Sequence, residues 1–158
     1  MDPAITVTIK ALNQEGATQL RELVSFLKAN GAAPKMDLVE LWKRIVFNMA
    51  VSNTDDHLRN HGFILTQTGW RLSPLYDVNP VPYGEDLALN VSEDESAISF
   101  DLAIETAQYY GITQKEAEKI VKEISTTVRD NWERLASEYG LSRGSIEKMR
   151  PAFSACYE

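Results

Sequence analysis

The chain has 158 residues, enough for one domain with a sizeable core, and its 44% hydrophobic and 25% charged content is that of a soluble globular protein. No apolar run approaches the ~20 residues of a membrane span, and the N-terminus MDPAITVTIK lacks a signal peptide's charged-then-apolar order. The net charge of −7 argues against a surface built to grip nucleic acid directly, and the single cysteine, Cys156, cannot close an internal disulfide, so a reducing cytoplasm is the expected setting.

Residues 1–13 alternate weakly through Ile5, Val7 and Ile9, the pattern of a short strand, and equally fit an appended terminal remnant. From Thr18 to Asn30, Leu20, Leu23, Val24 and Leu27 recur at helical spacing, with Gly31 as the stop. The next helix is the clearest. Asp37 is its expected cap and Glu40 the residue reaching back. Leu38, Leu41, Trp42, Ile45, Val46 and Met49 follow at steps of three and four. Burying six such side chains at ~1.5–3 kcal/mol each makes this helix a rigid post. From its end hangs the octet NTDDHLRN, Asn53 to Asn60.

GFILTQTGWRLS then reads as a β-hairpin turning at Gln67-Thr68-Gly69, with Phe63, Leu65, Trp70 and Leu72 alternating along it. The prolines of PLYDVNPVPYG, Pro74 to Gly84, forbid regular structure. Leu87 to Val91 is expected to be a short extended piece and Glu93-Asp94-Glu95 a solvated turn. A helix from Ser99 or Phe100 to Tyr110 stops at Gly111. Thr113 and Glu116 form a capping box. A long helix to about Tyr139 carries Ile120, Val121, Ile124, Val128, Trp132, Leu135 and Tyr139 on one stripe, and Gly140 ends it. Ile146, Met149 and Phe153 mark a last helix. The expected fold is mainly α, one domain over residues 1–158, with one small hairpin beside the octet.

The octet invites chemistry because a hairpin returns the chain to its origin. Asp77, beyond the hairpin, should come back near Asn60. Asp55, Asn60 and Asp77 would then offer two carboxylates and an amide oxygen, hard ligands suited to Mg²⁺. Protein kinases use this order: a catalytic Asp, four residues, a metal-binding Asn, a hairpin, then a second metal Asp. D-x-x-x-x-N alone is a weak motif, and the ordered set is far more specific.

With FNMAVSNTDDHLRNHGFIL, GWRLSPLYDVNP and LALNVSEDESAISFDLAIETAQYYG, spanning roughly Asp37 to Gly111, the chain resembles the C-terminal part of HipA-family serine/threonine kinases, the toxins of HipA–HipB toxin–antitoxin modules. The resemblance implies a kinase-like C-lobe, with Asp55 as the general base and Asn60 and Asp77 as Mg²⁺ ligands. His57, Arg59 and Asn53 would support the loop. It also implies Mg²⁺ and ATP as cofactors of the complete protein, a Ser/Thr protein substrate, a HipB-type antitoxin as partner, and DNA met only through that partner. A component of translation is the target class the resemblance suggests. No Gly-rich strand–turn–strand precedes residue 37 and no strand lysine follows one, so the N-terminal nucleotide-clamping lobe is expected to be absent, leaving a fragment, a split-gene half or a degenerate remnant, feeble by itself.

Blander readings stand beside these. Asp55 and Asn60 fit a loop cap, and Asp77 a turn before Asn79-Pro80. Asp56 reads as a solvated neighbour within reach of Arg59. His57 reads as a structural histidine donating to a backbone carbonyl, Arg59 as a solvent-facing cation, Asn53 as a brace and Tyr76 as packing behind Asp77. Trp42, Trp70 and Trp132 read as core or half-core residues, and Cys156 as a small half-buried one. Two further functions remain open: a non-catalytic module binding the antitoxin, and, less well supported, a metal-dependent hydrolase.

Overall fold

A computed structural model describes residues 6–8, 19–92 and 95–158. Ile5, Ile9, Thr18, Glu93 and Asp94 therefore lie outside the described residues. Strand β1 (Thr6–Thr8) and helices α1 (Gln19–Asn30) and α2 (Pro34–Ala50) come first. All six apolar residues of the post, from Leu38 to Met49, are buried.

The start of α2 differs from the sequence reading. Proline at the first helical position pre-sets the backbone, so α2 begins at Pro34, and Ala33 caps it without a side-chain bond. Asp37 is not the cap. Its carboxylate accepts from Arg71 Nε and Nη2 at 2.9 and 3.0 Å and from the Leu72 amide at 3.1 Å, while Glu40 accepts from Arg44 instead. A buried carboxylate needs paired donors, and the hairpin supplies them.

Strands β2 (Gly62–Thr66) and β3 (Gly69–Leu72) form the expected hairpin, paired from Phe63↔Leu72 to Thr66↔Gly69. β1 adds an antiparallel third strand on the far side of β2, so the short early strand exists at Thr6–Thr8. Arg44 Nη2 donates to the Ser73 carbonyl at 2.7 Å, so α2 fastens the end of the hairpin twice. Pro74–Gly84 has no helix or strand. Leu87, Leu89 and Val91 alternate inward, but bends at Ala88, Leu89 and Val91 replace the extended piece expected, and one antiparallel bridge joins Asp86 to Ala97.

Helices α3 (Phe100–Thr106), α4 (Gln114–Glu138) and α5 (Arg143–Met149) complete a mainly α domain, with 3₁₀ turns at Leu58–Asn60, Ala107–Tyr110 and Arg150–Tyr157. The Thr113–Glu116 capping box is present, and Gly111 and Gly140 stop their helices at φ of +76° and +83°. The expected stripe of α4 bends away at its end. Val128, Trp132 and Ala136, spaced by four, face the second core cluster, which leaves Leu135 and Tyr139 on an exposed flank. That cluster joins Ala50 and Val51 to Ile146, Phe153 and Cys156, while the larger one joins α1, α2, the hairpin and α3. Cys156 is more buried than the half-buried residue expected, and desolvation pushes its thiol up to about 11.

Candidate active site

The last turn of α2 hands the chain to the octet through Ser52, whose φ is +49°. Asp77 has a φ of +56°, and these two are the non-glycine residues with positive φ among those described. Aspartate tolerates this region better than most residues, and such strain gathers at functional sites.

The octet separates its two acids. Asp55 is exposed, and its Oδ1 lies 2.7 Å from His57 Nε2. His57 thus meets a carboxylate rather than the backbone carbonyl expected of it. Asp56 is not a solvated neighbour and does not reach Arg59. It is buried, and its Oδ2 receives Asn48 Nδ2 at 2.8 Å and His61 Nε2 at 3.0 Å. One acid of the pair is thus a buried anchor and the other is exposed.

Asn60 is 5% exposed, and its Nδ2 donates to the Asp55 carbonyl at 3.2 Å. Its Oδ1 has no hydrogen-bond partner among the described residues. Asn53 acts as the expected brace: its Nδ2 donates to Asn48 Oδ1 at 3.1 Å. Arg59 points its side chain to solvent.

The segment after the hairpin is tied to the octet at two points and to Ser52, just before it, at a third. Tyr76 OH donates to the Arg59 carbonyl at 2.8 Å, the Asn79 amide to Asn53 Oδ1 at 3.4 Å, and the Val81 amide to the Ser52 carbonyl at 3.1 Å. Tyr76 is therefore a tether to the loop, not packing behind Asp77. Its hydroxyl is pushed above the usual tyrosine range, first by burial and then by the negative charges of Asp56 and Asp77. Farther along, a Cβ at Gly84 would stand 2.2 Å from Thr54 Cγ2, so only glycine lets the chain pass beside the octet there. Asp77 lies between the first two ties. Its Oδ1 accepts from Asn79 Nδ2 at 3.0 Å and its Oδ2 has no hydrogen-bond partner among the described residues.

A divalent cation suits the oxygens left open. Asn60 Oδ1 and Asp77 Oδ2 are hard donors, which Mg²⁺ prefers. No three His, Cys, Asp or Glu side chains group as a metal site among the described residues, so such a set needs the Asn60 amide.

The residues that sequence reasoning missed are Asn48, Asp56 and His61. Asn48 was visible as a polar residue on the buried face of α2, and His61 as a second histidine five residues after an acid.

Comparison with known proteins bears on this geometry. The family model described as the HipA-like C-terminal domain matches residues 5–132. The protein named "Putative kinase Y4mE" from Sinorhizobium fredii is 23% identical over 129 residues, 80% of this chain and 25% of that protein. The HipA chain in a Shewanella oneidensis HipA, HipB and operator DNA complex matches with a TM-score of 0.69 at 18% identity, over 87% of this chain and 35% of that one. The chain thus spans a quarter to a third of the length of these relatives. No helix among the described residues is long and apolar enough to cross a membrane.

Proposed function

This chain belongs to the HipA-like C-terminal domain family, and on that premise we propose that it is the catalytic lobe of a HipA-type protein serine/threonine kinase, with Asp55 as general base and Asn60 and Asp77 as Mg²⁺ ligands. The observation that carries this reading is the set of ties from Tyr76 to Val81, which brackets Asp77 against the loop bearing Asp55 and Asn60.

The open side-chain atoms suit those roles. Asp55 Oδ1 is engaged by His57, so Oδ2 is the oxygen that takes the proton of a substrate hydroxyl. His57 holds that carboxylate in one rotamer. Asn60 Oδ1 and Asp77 Oδ2, neither in a hydrogen bond among the described residues, would be the oxygens to hold the cation. Mg²⁺, when bound, would neutralise charge on the transferring phosphoryl group of ATP. This chain contributes the base and the metal ligands; a Gly-rich loop and a strand lysine must come from elsewhere in an active cytoplasmic kinase. Alone it is expected to transfer phosphate feebly.

The test is phosphate transfer to a serine or threonine substrate by a protein that combines this lobe with a nucleotide-clamping lobe. Asp55→Ala should lower the rate by about 10²–10⁴, the usual contribution of a positioned base, and Asp77→Ala should lower it at least as far. Unchanged transfer in either variant overturns the role given to that residue.

A second reading draws on the structural match to a HipA chain in complex with HipB and DNA. The lobe would associate with a HipB-type antitoxin without catalysis, and with a net charge of −7 any DNA contact would run through the partner. Co-purification with the antitoxin, independent of nucleotide, is expected; no association in a direct binding assay removes this reading.

A further inference from the structure

Helix α2 carries an asparagine on its buried face, one turn before the octet. Asn48 is 2% exposed, and burying an amide is costly unless both ends are bonded. Both are. Nδ2 donates to Asp56 Oδ2 at 2.8 Å, and Oδ1 accepts from Asn53 Nδ2 at 3.1 Å. Asn53 Oδ1 in turn accepts from the Asn79 backbone amide at 3.4 Å, and Asn79 Nδ2 donates to Asp77 Oδ1 at 3.0 Å.

These bonds form one chain from the octet, through the post helix, to Asp77. Its polarity has a single solution. A carboxylate oxygen only accepts, so Asp56 draws the nitrogen of Asn48 and turns the oxygen of Asn48 toward Asn53. A backbone N–H only donates, so Asn79 draws the oxygen of Asn53 and turns its nitrogen toward Asn48. Flipping either amide would set like against like. Asp56 is further held by His61, so the octet end of the chain is fixed.

We infer that Asn48 is a positioning residue that locks the segment carrying Asp77 to the loop carrying Asp55 and Asn60, and so sets the span across which a divalent cation is held. The inference rests on the metal-ligand reading above. Asn48 touches none of the open oxygens itself. It acts through Asn53 and then Asn79; Asn79 donates to one oxygen of Asp77, which would leave the other for a cation. Partners of this kind usually change metal affinity by 10–100-fold when removed.

The test titrates Mn²⁺ alone into the full chain, following free ion by electron paramagnetic resonance and the broadening of backbone amide signals by nuclear magnetic resonance. In the wild type, the signals of Asp55, Asn60 and Asp77 should broaden first. Asn48→Ala and Asn79→Ala should each weaken Mn²⁺ binding about tenfold or more. Asn79 is exposed, so its variant should keep the wild-type melting temperature and carries the test alone if Asn48→Ala fails to fold. A network that is merely structural would lower the melting temperature and leave Mn²⁺ affinity unchanged. Wild-type binding with equal affinity in the variants overturns the positioning role and leaves the proposed function standing. Absence of any broadening at these residues in the wild type overturns the metal ligands and the positioning role together.

Discussion

The stretch from α2 through the hairpin buries polar side chains beside its apolar core, whereas the C-terminal cluster buries apolar ones. Ten polar or charged residues are buried among those described, and nine of them lie between Asp37 and Ser73; Thr106 is the exception. The C-terminal cluster instead packs Val128, Trp132, Ile146, Ala152, Phe153 and Cys156, with the Trp132 and Phe153 rings stacked at 4.2 Å. Apolar contacts are non-directional and tolerate small shifts, whereas hydrogen bonds fail steeply with angle. The first region adds directional bonds to its apolar packing, and the second rests on packing.

Substitutions can separate the two. The largest effect is expected from Trp132→Ala, about 3–5 kcal/mol of stability by urea unfolding. The amide signals of Asn53 and Asn60 should stay in place, and their displacement would show that the regions are not independent. Asp56→Ala comes next. It strips Asn48 and His61 of their shared acceptor, at about 1–3 kcal/mol for each group left unpaired. Its signature should be local, with faster hydrogen exchange across the octet and little change near Trp132. A variant that melts evenly through the molecule would erase the contrast drawn above.

The smallest effect tests a site outside both regions. The Thr113 hydroxyl and amide hold the Glu116 carboxyl below the usual glutamate range. A carboxyl lowered in the folded state adds stability above its unfolded pKa and loses it as the pH falls through the folded value. Glu116→Gln should therefore lose a little stability near neutrality and none in acid, which slightly flattens the acid side of a stability–pH curve. A steeper acid limb in the variant would contradict that sign.

Helix periodicity made the post and most of the C-terminal helices legible, because apolar burial repeats along the chain. Stop signals at Gly111 and Gly140 and the Thr113 box were equally plain, each resting on a local conformational rule. Asp37 misled because an acid before an apolar run looks like a cap, while its partner Arg71 is 34 residues away. Asp56 misled for the same reason. Nothing in two adjacent aspartates says which is buried, and the answer depends on Asn48 and His61 arriving from either side. Leu135 and Tyr139 kept the helical period but had no partner opposite, since period reports a face and not what covers it. The octet was legible as a group by its spacing to Asp77. The three ties beyond the hairpin were not, because each of them uses at least one backbone atom, which every residue possesses.

The hairpin pairs residue for residue from Phe63↔Leu72 to Thr66↔Gly69, with Gln67 and Thr68 at its tip. Each strand residue advances the chain by about 3.3 Å and flips the facing of the next. An insertion in one strand alone would slide Asp77 along Asn60 by that step and turn its neighbours over. Matched additions on both sides of the tip would lengthen the ribbon outward and leave its base untouched. Gly69 is held against Asn30 and Ala32, so the exposed pair Gln67 and Thr68 is the point where extra sequence can be grafted while the spacing at the base stays in register.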